Sequence, residues 1–393
     1  MISQESSRTH SSALSCHPEL PVALGEVVGR CVEWSPGPPS LAFVAASPSV
    51  SGALSQVCRT ATALLESRMT AGFTSESPIG LRERLGPQAG LSLLCSRSIE
   101  PNALLLSQPF DASQASLEHE FARFAGLLSD GDLPVVIADP HSFDTTTFLQ
   151  RFNRSFPGRT MSGGTVATGG LPCGFYLDGV TTNGGALVIV FPRHSVLATA
   201  LSFGAKPVGQ PLTVTKANGC IIQGLSSQSA VLRLEELMLE SLSPTDLVDI
   251  AEGGLRLGVV TNEYASTYGR GDFNLMSIVD IDNEVPALTV TQATPVGSVV
   301  QFHIQSPQIA QDDLTLALAE ANPSRVKTDM TLVFAGTEAE REPLGTKTEE
   351  QEVIADMLGD TSTLGASLST VFGNVGGVTR ELPQCTSIVL LKG

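Results

Sequence analysis

The chain has 393 residues, of which 42% are hydrophobic and 16% charged, enough apolar material for roughly two to three domains with buried cores. Its formal net charge of −17 repels phosphodiester backbones and anionic headgroups, which excludes nucleic acid and the membrane surface as expected partners. Aromatic residues make up only 5%, so the core must rest mainly on Leu, Val, Ile and Ala.

Residues 1–20 are rich in Ser, His and Gln, which predicts a disordered tail without the apolar stretch of a secretory signal. A Pro-Gly turn at 36–39 precedes a buried strand, Leu41–Ala46. Leu54, Val57, Ala61, Leu64 and Leu65 then recur at helix spacing over 54–69. Residues 91–95 and 103–106 read as short buried strands. In the middle of the chain, 202–215 carries two Gly and two Pro and predicts a shaped loop that gives way to a strand at 212–215. A strand at 220–223 and a helix over 225–242 follow, with Val231, Leu234, Leu237 and Met238 as its apolar stripe. The run Ser243-Pro-Thr-Asp246 interrupts that helix and suggests a domain boundary there, giving 21–243 and 244–393 as the two modules. Four strands come next, Leu255–Val260, 273–281, Ala287–Val290 and Val299–Ile304. No run approaches eighteen apolar residues, so no membrane insertion is expected.

One unit occurs twice. Its first copy is an amphipathic segment (117–128), an apolar run (Leu133–Ala138), a second amphipathic segment (143–152), a glycine-rich run (161–170) and an apolar run (Ala186–Phe191). The second copy repeats that order at 309–321, 330–335, Glu349–Leu358, 364–377 and 388–391. Strands mixed with helices, without strict alternation, predict an α+β fold of two related halves, mixed sheets flanked by helices in layers. Two such halves packed face to face would leave a cleft between their glycine-rich edges, where a ligand could sit.

Candidate residues follow from that picture. Gly163 and Gly164, with Gly169 and Gly170, remove the Cβ barrier to a ligand, or else serve bulges and close strand packing. Gly373, Asn374, Gly376, Gly377 and Arg380 pose the same choice, with the Arg380 fork suited to a carboxylate. Lys206 and Gly209 lie in the shaped run, where Lys206 could pair with an anion or simply face solvent. Arg270-Gly271-Asp272 reads as a turn feeding a strand. The seven cysteines form no close pair, the pattern of reduced thiols in a cytoplasmic chain, and the six histidines do not cluster at metal spacing. Phosphate-loop, dinucleotide, zinc-protease and nucleophile-elbow motifs are missing, so a binding protein with no cofactor is expected rather than an enzyme. Asp139 and His141, after a strand end, are the nearest thing to a catalytic corner, with a simple turn as the alternative, and Cys173 and Cys220 read as inert thiols.

These residues also carry a resemblance. Gly163-Gly164-Thr165-Val166, the run from Gly184 to Val190, and Gly204, Pro207-Val208-Gly209 and Thr213-Val214-Thr215 in succession are similar to the N-terminal module of the FIST sensory domain family. Gly271-Asp272-Phe273, the run from Val296 to Phe302, Asp313-Leu314, Leu332-Val333-Phe334 and Phe372-Gly373 with Gly376-Gly377 resemble its C-terminal module. The resemblance implies a standalone intracellular module of signal transduction that binds a small, amino-acid-like ligand between its halves and reports to a signalling protein partner. The expected ligand contacts are Gly163, Gly164, Thr165, Lys206, Gly209, Arg270, Asn374, Gly376, Gly377 and Arg380. A protein-interaction scaffold without a small ligand is the alternative. Three family polar groups are replaced here, by Ala335-Gly336, by Gly377 and by Met276, which points to a different or less charged ligand, or to lost binding.

Overall fold

The computed structural model describes residues 8–85, 90–107, 109–167, 173–261, 267–269, 271–336 and 349–393. The chain divides into two compact units, one built from its course up to Leu201 together with Ala317–Gly393, the other from Ser202–Leu316. The fold is α+β.

The first unit opens with β1 (His10–Ser15), α1 (Leu20–Trp34), β2 (Leu41–Ala46), α2 (Leu54–Leu65), β3 (Met69–Thr74), β4 (Pro78–Ile79), β5 (Leu91–Ser96) and β6 (Asn102–Leu106). The first copy of the repeat follows as α3 (Gln114–Ala125), β7 (Leu133–Ala138), α4 (Thr145–Ser155), β8 (Ser162–Val166), β9 (Gly174–Leu177), β10 (Val180–Asn183) and β11 (Ala186–Phe191), and β12 (Val196–Ser202) ends this stretch. Two N-caps fix the helices of the repeat: Ser113 accepts from the Ser116 amide and Asp144 from that of Thr147.

The second unit contains β13 (Lys206–Asn218), β14 (Ile221–Leu225), β15 (Gln228–Ser229), α5 (Ala230–Glu236), a π-helical turn at Leu237–Ser241, α6 (Pro244–Gly253), β16 (Leu255–Val260), β17 (Phe273–Asp282), β18 (Ala287–Val290) and β19 (Val299–Ile304). Its strands run in the order β13-β19-β16-β17-β18-β14, and β14 pairs again with β13, so the sheet closes on itself around Val214, Ile222, Leu257, Leu288, Val300 and Phe302. The units therefore divide at 201/202 and 316/317, and residue 243 falls inside the second unit. The closed ring needs strands from both sides of that position. The expected shaped loop is largely β13, bulged between Val208 and Leu212. Ser243 and Asp246, expected as a break, form a capping box that starts α6.

Helix α7 (Pro307–Ala321) leads into the second copy, which continues with β20 (Met330–Gly336), α8 (Glu349–Leu358), β21 (Ser362–Val375), β22 (Val378–Leu382) and β23 (Thr386–Leu391). In the first unit one sheet runs β1-β5-β2-β3-β9-β10, and a second runs β12-β23-β20-β21-β8-β7-β11-β6. That second order is a mirror about its centre. Each copy contributes a parallel βαβ pair (β7 with β8, β20 with β21) and an antiparallel neighbour (β11, β23), and the copies join where β8 meets β21 in antiparallel fashion.

Alternation along the strands explains the layering. Phe43, Val135, Ile137, Leu187 and Leu364 point into the cluster between the two sheets, whereas Val44 faces α1 and α2, and Val136 and Val188 face Phe124, Phe148 and Phe152 on α3 and α4. A strand covered on both faces needs no polar alternate, so runs such as LAFVAA and ALVIVF are apolar throughout. Each fully buried Phe or Leu contributes about 1.5–3 kcal/mol.

The tail expectation is corrected within the described residues, because His10–Ser15 pair with β5 and Leu20–Trp34 is a helix. The helix expected over 54–69 ends at Leu65, and Met69–Thr74 is a strand parallel to β2.

His303 on β19 is 4% exposed, with Nδ1 3.0 Å from the Gln301 carbonyl oxygen and its ring edge-on to Phe273 at 4.7 Å. Burial pulls its pKa down to about 4, against the raising effect of that carbonyl. The unfolded chain binds this proton below its ordinary value and the folded one does not. The contribution is therefore complete above about pH 6.5 and is lost as pH falls toward 4, at up to about 1.4 kcal/mol per unit. Unfolding of the native protein should lose about 2–3 kcal/mol more between pH 7 and 4 than that of His303→Gln, and parallel pH curves would refute this assignment.

Candidate functional site

Gly163, Gly164 and Thr165 lie on β8 at the junction of the copies, where Thr165 pairs with Thr370 and Gly164 with Val371. The glycine-rich runs are thus neighbouring strands, and along 164–166 and 368–371 no ligand space separates them. A Cβ on Gly163, whose φ is +104°, would stand on the Val136 carbonyl oxygen, and one on Gly164 on that of Thr370. Their bareness is explained by backbone approach within the sheet. The Thr165 and Thr370 hydroxyls bond at 2.8 Å.

Asn374, Gly376, Gly377 and Arg380 belong to the β21–β22 hairpin. Gly376 and Gly377 have φ of +61° and +82°, as a tight primed turn requires. The Asn374 side chain accepts from the Gly377 amide and donates to the Arg159 carbonyl at 3.0 Å, while Arg380 stands opposite Gly373. Lys206 and Gly209 are in the second unit. Lys206 Nζ donates to Asp246 Oδ1 at 2.9 Å, which with the Ser243 bonds holds that carboxyl down at about 2. Gly209 turns at φ +65° beside Leu237. Arg270 lies outside the described residues, as do Gly169 and Gly170. Of the nine described candidates, three sit mid-sheet and four on the β21–β22 hairpin of the first unit, and two lie in the second unit.

Asp139 accepts from the His141 amide at 3.2 Å and from Ser142 Oγ at 2.5 Å, so its carboxylate closes a turn. Burial pushes the Cys173 thiol up to about 12, and it meets the Thr74 hydroxyl at 3.8 Å. Among the described residues no group of three or more His, Cys, Asp or Glu side chains could hold a metal ion.

A different set of residues gathers where the copies converge. The carboxyl ends of β8 and β20 both reach Leu368, since Val166 and Gly336 are its partners on either side. Strand ends at such a switch in direction are where open sheets with helices on their faces hold ligands. Off the main path of this same sheet, β4 lays Pro78 and Ile79 against Ala366 and Gly365. Ser75 Oγ donates to the Ser367 carbonyl at 2.6 Å, the Ser367 amide to the Ser77 carbonyl at 3.0 Å, and the Glu76 amide to the Ala167 carbonyl at 2.7 Å. Arg84 Nη2 donates to Ser367 Oγ.

Charge is concentrated here. Burial lowers the Arg84 pKa, opposed by Glu350 and then Glu76, while burial raises that of Glu350, opposed by Arg84. Gln351, beside Glu350 on the first turn of α8, is 1% exposed and lies on the inward face with Ile354 and Ala355. Neither of its amide atoms, nor Arg84 Nε, has a hydrogen-bond partner among the described residues. Leaving such groups unsatisfied costs about 1–3 kcal/mol each. The arrangement offers a guanidinium, an amide, hydroxyls and carboxylates, chemistry suited to holding a small polar molecule. Sequence reading passed over Arg84, Ser75 and Gln351, because nothing in a Ser-Glu-Ser-Pro or Glu-Glu-Gln-Glu run marks the one side chain that faces inward.

Two relatives from mycobacteria are similar to this chain. The uncharacterized protein Rv0628c of Mycobacterium tuberculosis (strain ATCC 25618 / H37Rv) is 29% identical over 251 residues, 63% of this chain and 64% of the relative. The uncharacterized protein Mb0898c of Mycobacterium bovis is 26% identical over 252 residues, again 63% of this chain and 64% of the relative. The chain thus spans less than two thirds of the length of the curated relatives it matches. Residues 40–228, from just before β2 to the start of β15, match the FIST N domain.

Proposed function

We propose that this protein is a cytoplasmic sensory module of signal transduction whose first unit holds a small polar metabolite at the cluster around Arg84. The FIST family is associated with signal transduction. The observation that carries the ligand is the part-buried group at the meeting of the copies: Arg84, held between Ser367 and the charge of Glu350, whose neighbour in the chain, Gln351, has no amide partner among the described residues. An amino-acid-like molecule, with donors and acceptors at one end, matches that inventory. A ligand that binds only the folded state stabilises it by about 2.7 kcal/mol at a hundredfold excess over its dissociation constant. A thermal-shift screen of amino acids, their amides and small dicarboxylates should therefore find at least one compound that raises the melting temperature. A flat response across such a library removes the small-ligand reading.

A protein-interaction scaffold is the second reading. It is favoured by apolar side chains left exposed in the second unit, with Leu239 at 84%, Val248 at 55% and Leu247 at 42%. Recovery of one stoichiometric partner, together with a flat metabolite screen, would select it.

A further inference from the structure

The internal repeat exposes a difference between the copies that marks a second binding site. In each copy, the end of the first helix, the loop after it and the end of the second helix bound a recess. The first copy fills this recess from its own chain. The residue after α4 is Phe156, whose amide donates to the Phe152 carbonyl at 2.8 Å and whose ring packs 5.5 Å from Phe152 and 6.3 Å from Phe121. Arg159 lies over that ring at 5.4 Å and donates to the Ser129 carbonyl.

In the second copy the matching residue is Gly359, whose amide donates to the Ala355 carbonyl at the same 2.8 Å. Three residues, 359–361, connect α8 to β21, against six, 156–161, in the first copy, so no counterpart of Arg159 exists. A Cβ on Gly359 would meet nothing within 4 Å. What remains is a pocket of about 310 Å³ whose lining includes Leu318, Val326, Met357 and Leu358 and the cations Arg325 and Lys327. Small-molecule sites begin at about that volume. Lys327 Nζ is 3.7 Å from Asp329 and 80% exposed, and Arg325 has no ion pair among the described residues. The lining thus carries two cations and no carboxylate of its own, on a chain of net charge −17.

We propose that this recess takes a small aromatic carboxylate, its ring where Phe156 lies in the first copy and its carboxylate toward Arg325 and Lys327. The site is separate from the Arg84 cluster, so it stands or falls apart from the metabolite reading. Titration of the full chain with 4-fluorophenylacetate, followed by fluorine NMR, should show saturable binding with a dissociation constant of about 0.1–1 mM, as expected for so few atoms. Ala319→Trp, on an exposed face of α7 at the pocket, should abolish it, and Arg325→Gln/Lys327→Gln should weaken it about fivefold while binding of the uncharged 4-fluorobenzyl alcohol is unchanged. Absence of saturation, survival of binding in Ala319→Trp, or equal binding of the acid and the alcohol would overturn the proposal.

Discussion

Gly163→Ala is expected to destabilise the first unit by more than about 3 kcal/mol, the largest effect of any single methyl addition discussed. Two costs combine. The backbone at φ +104° excludes a Cβ, and the added carbon would coincide with the Val136 carbonyl oxygen of the parallel neighbour β7. Neither strand can retreat, because β8 is held by β7 on one side and β21 on the other. Gly376→Ala supplies the control: its φ is +61° but its Cβ meets nothing, so only the conformational cost of about 1 kcal/mol applies. Urea unfolding of both variants measures the contrast. If Gly163→Ala unfolds like the native protein yet loses its metabolite response, the glycine belongs to a ligand contact and not to the sheet.

Arg84→Met should cost about 2–4 kcal/mol at pH 7 and abolish any metabolite response. The substitution keeps bulk and removes charge, leaving Glu350 without the cation that offsets its burial. Because burial raises the Glu350 pKa, the folded variant takes up its proton more readily than the unfolded chain does. The deficit should therefore shrink as pH falls from about 7 to 5. Glu350→Gln in the same chain should restore stability in part, a non-additivity that identifies the pair as coupled. Stability unchanged in Arg84→Met would mean that Arg84 and Glu350 are each solvated independently. A metabolite response retained in the variant would place the ligand elsewhere.

Much of the framework was legible in the sequence. Leu41–Ala46, Leu133–Ala138 and Ala186–Phe191 announce themselves as buried on both faces, and the repeat gives the order of elements within each copy. What periodicity could not give is which edges meet. The glycine-rich runs were expected to front a hollow, whereas their bareness lets two backbones pair. Leu20–Trp34 and His10–Ser15 escaped notice because Pro21, two internal glycines and serine-rich composition mask structure that tertiary packing imposes. The helix expected over 225–242 mistakes one apolar stripe for one element, when a strand, a short helix and a π-helical turn share it. Arg84 and Gln351 were invisible for another reason. Arg84 meets Ser367 and Glu350, 283 and 266 positions away, and the inward facing of Gln351 is set by tertiary packing, properties no local window contains.

The seam between β8 and β21 has a consequence for synthesis. Until β21 leaves the ribosome, some two hundred residues after β8, the nascent first copy presents β8 as an open strand border with its hydrogen-bonding groups unclaimed. The stretch 40–228 is thus a unit of ancestry without being a unit of assembly, and the half-made sheet must wait, or be sheltered by a chaperone, for its twin to emerge.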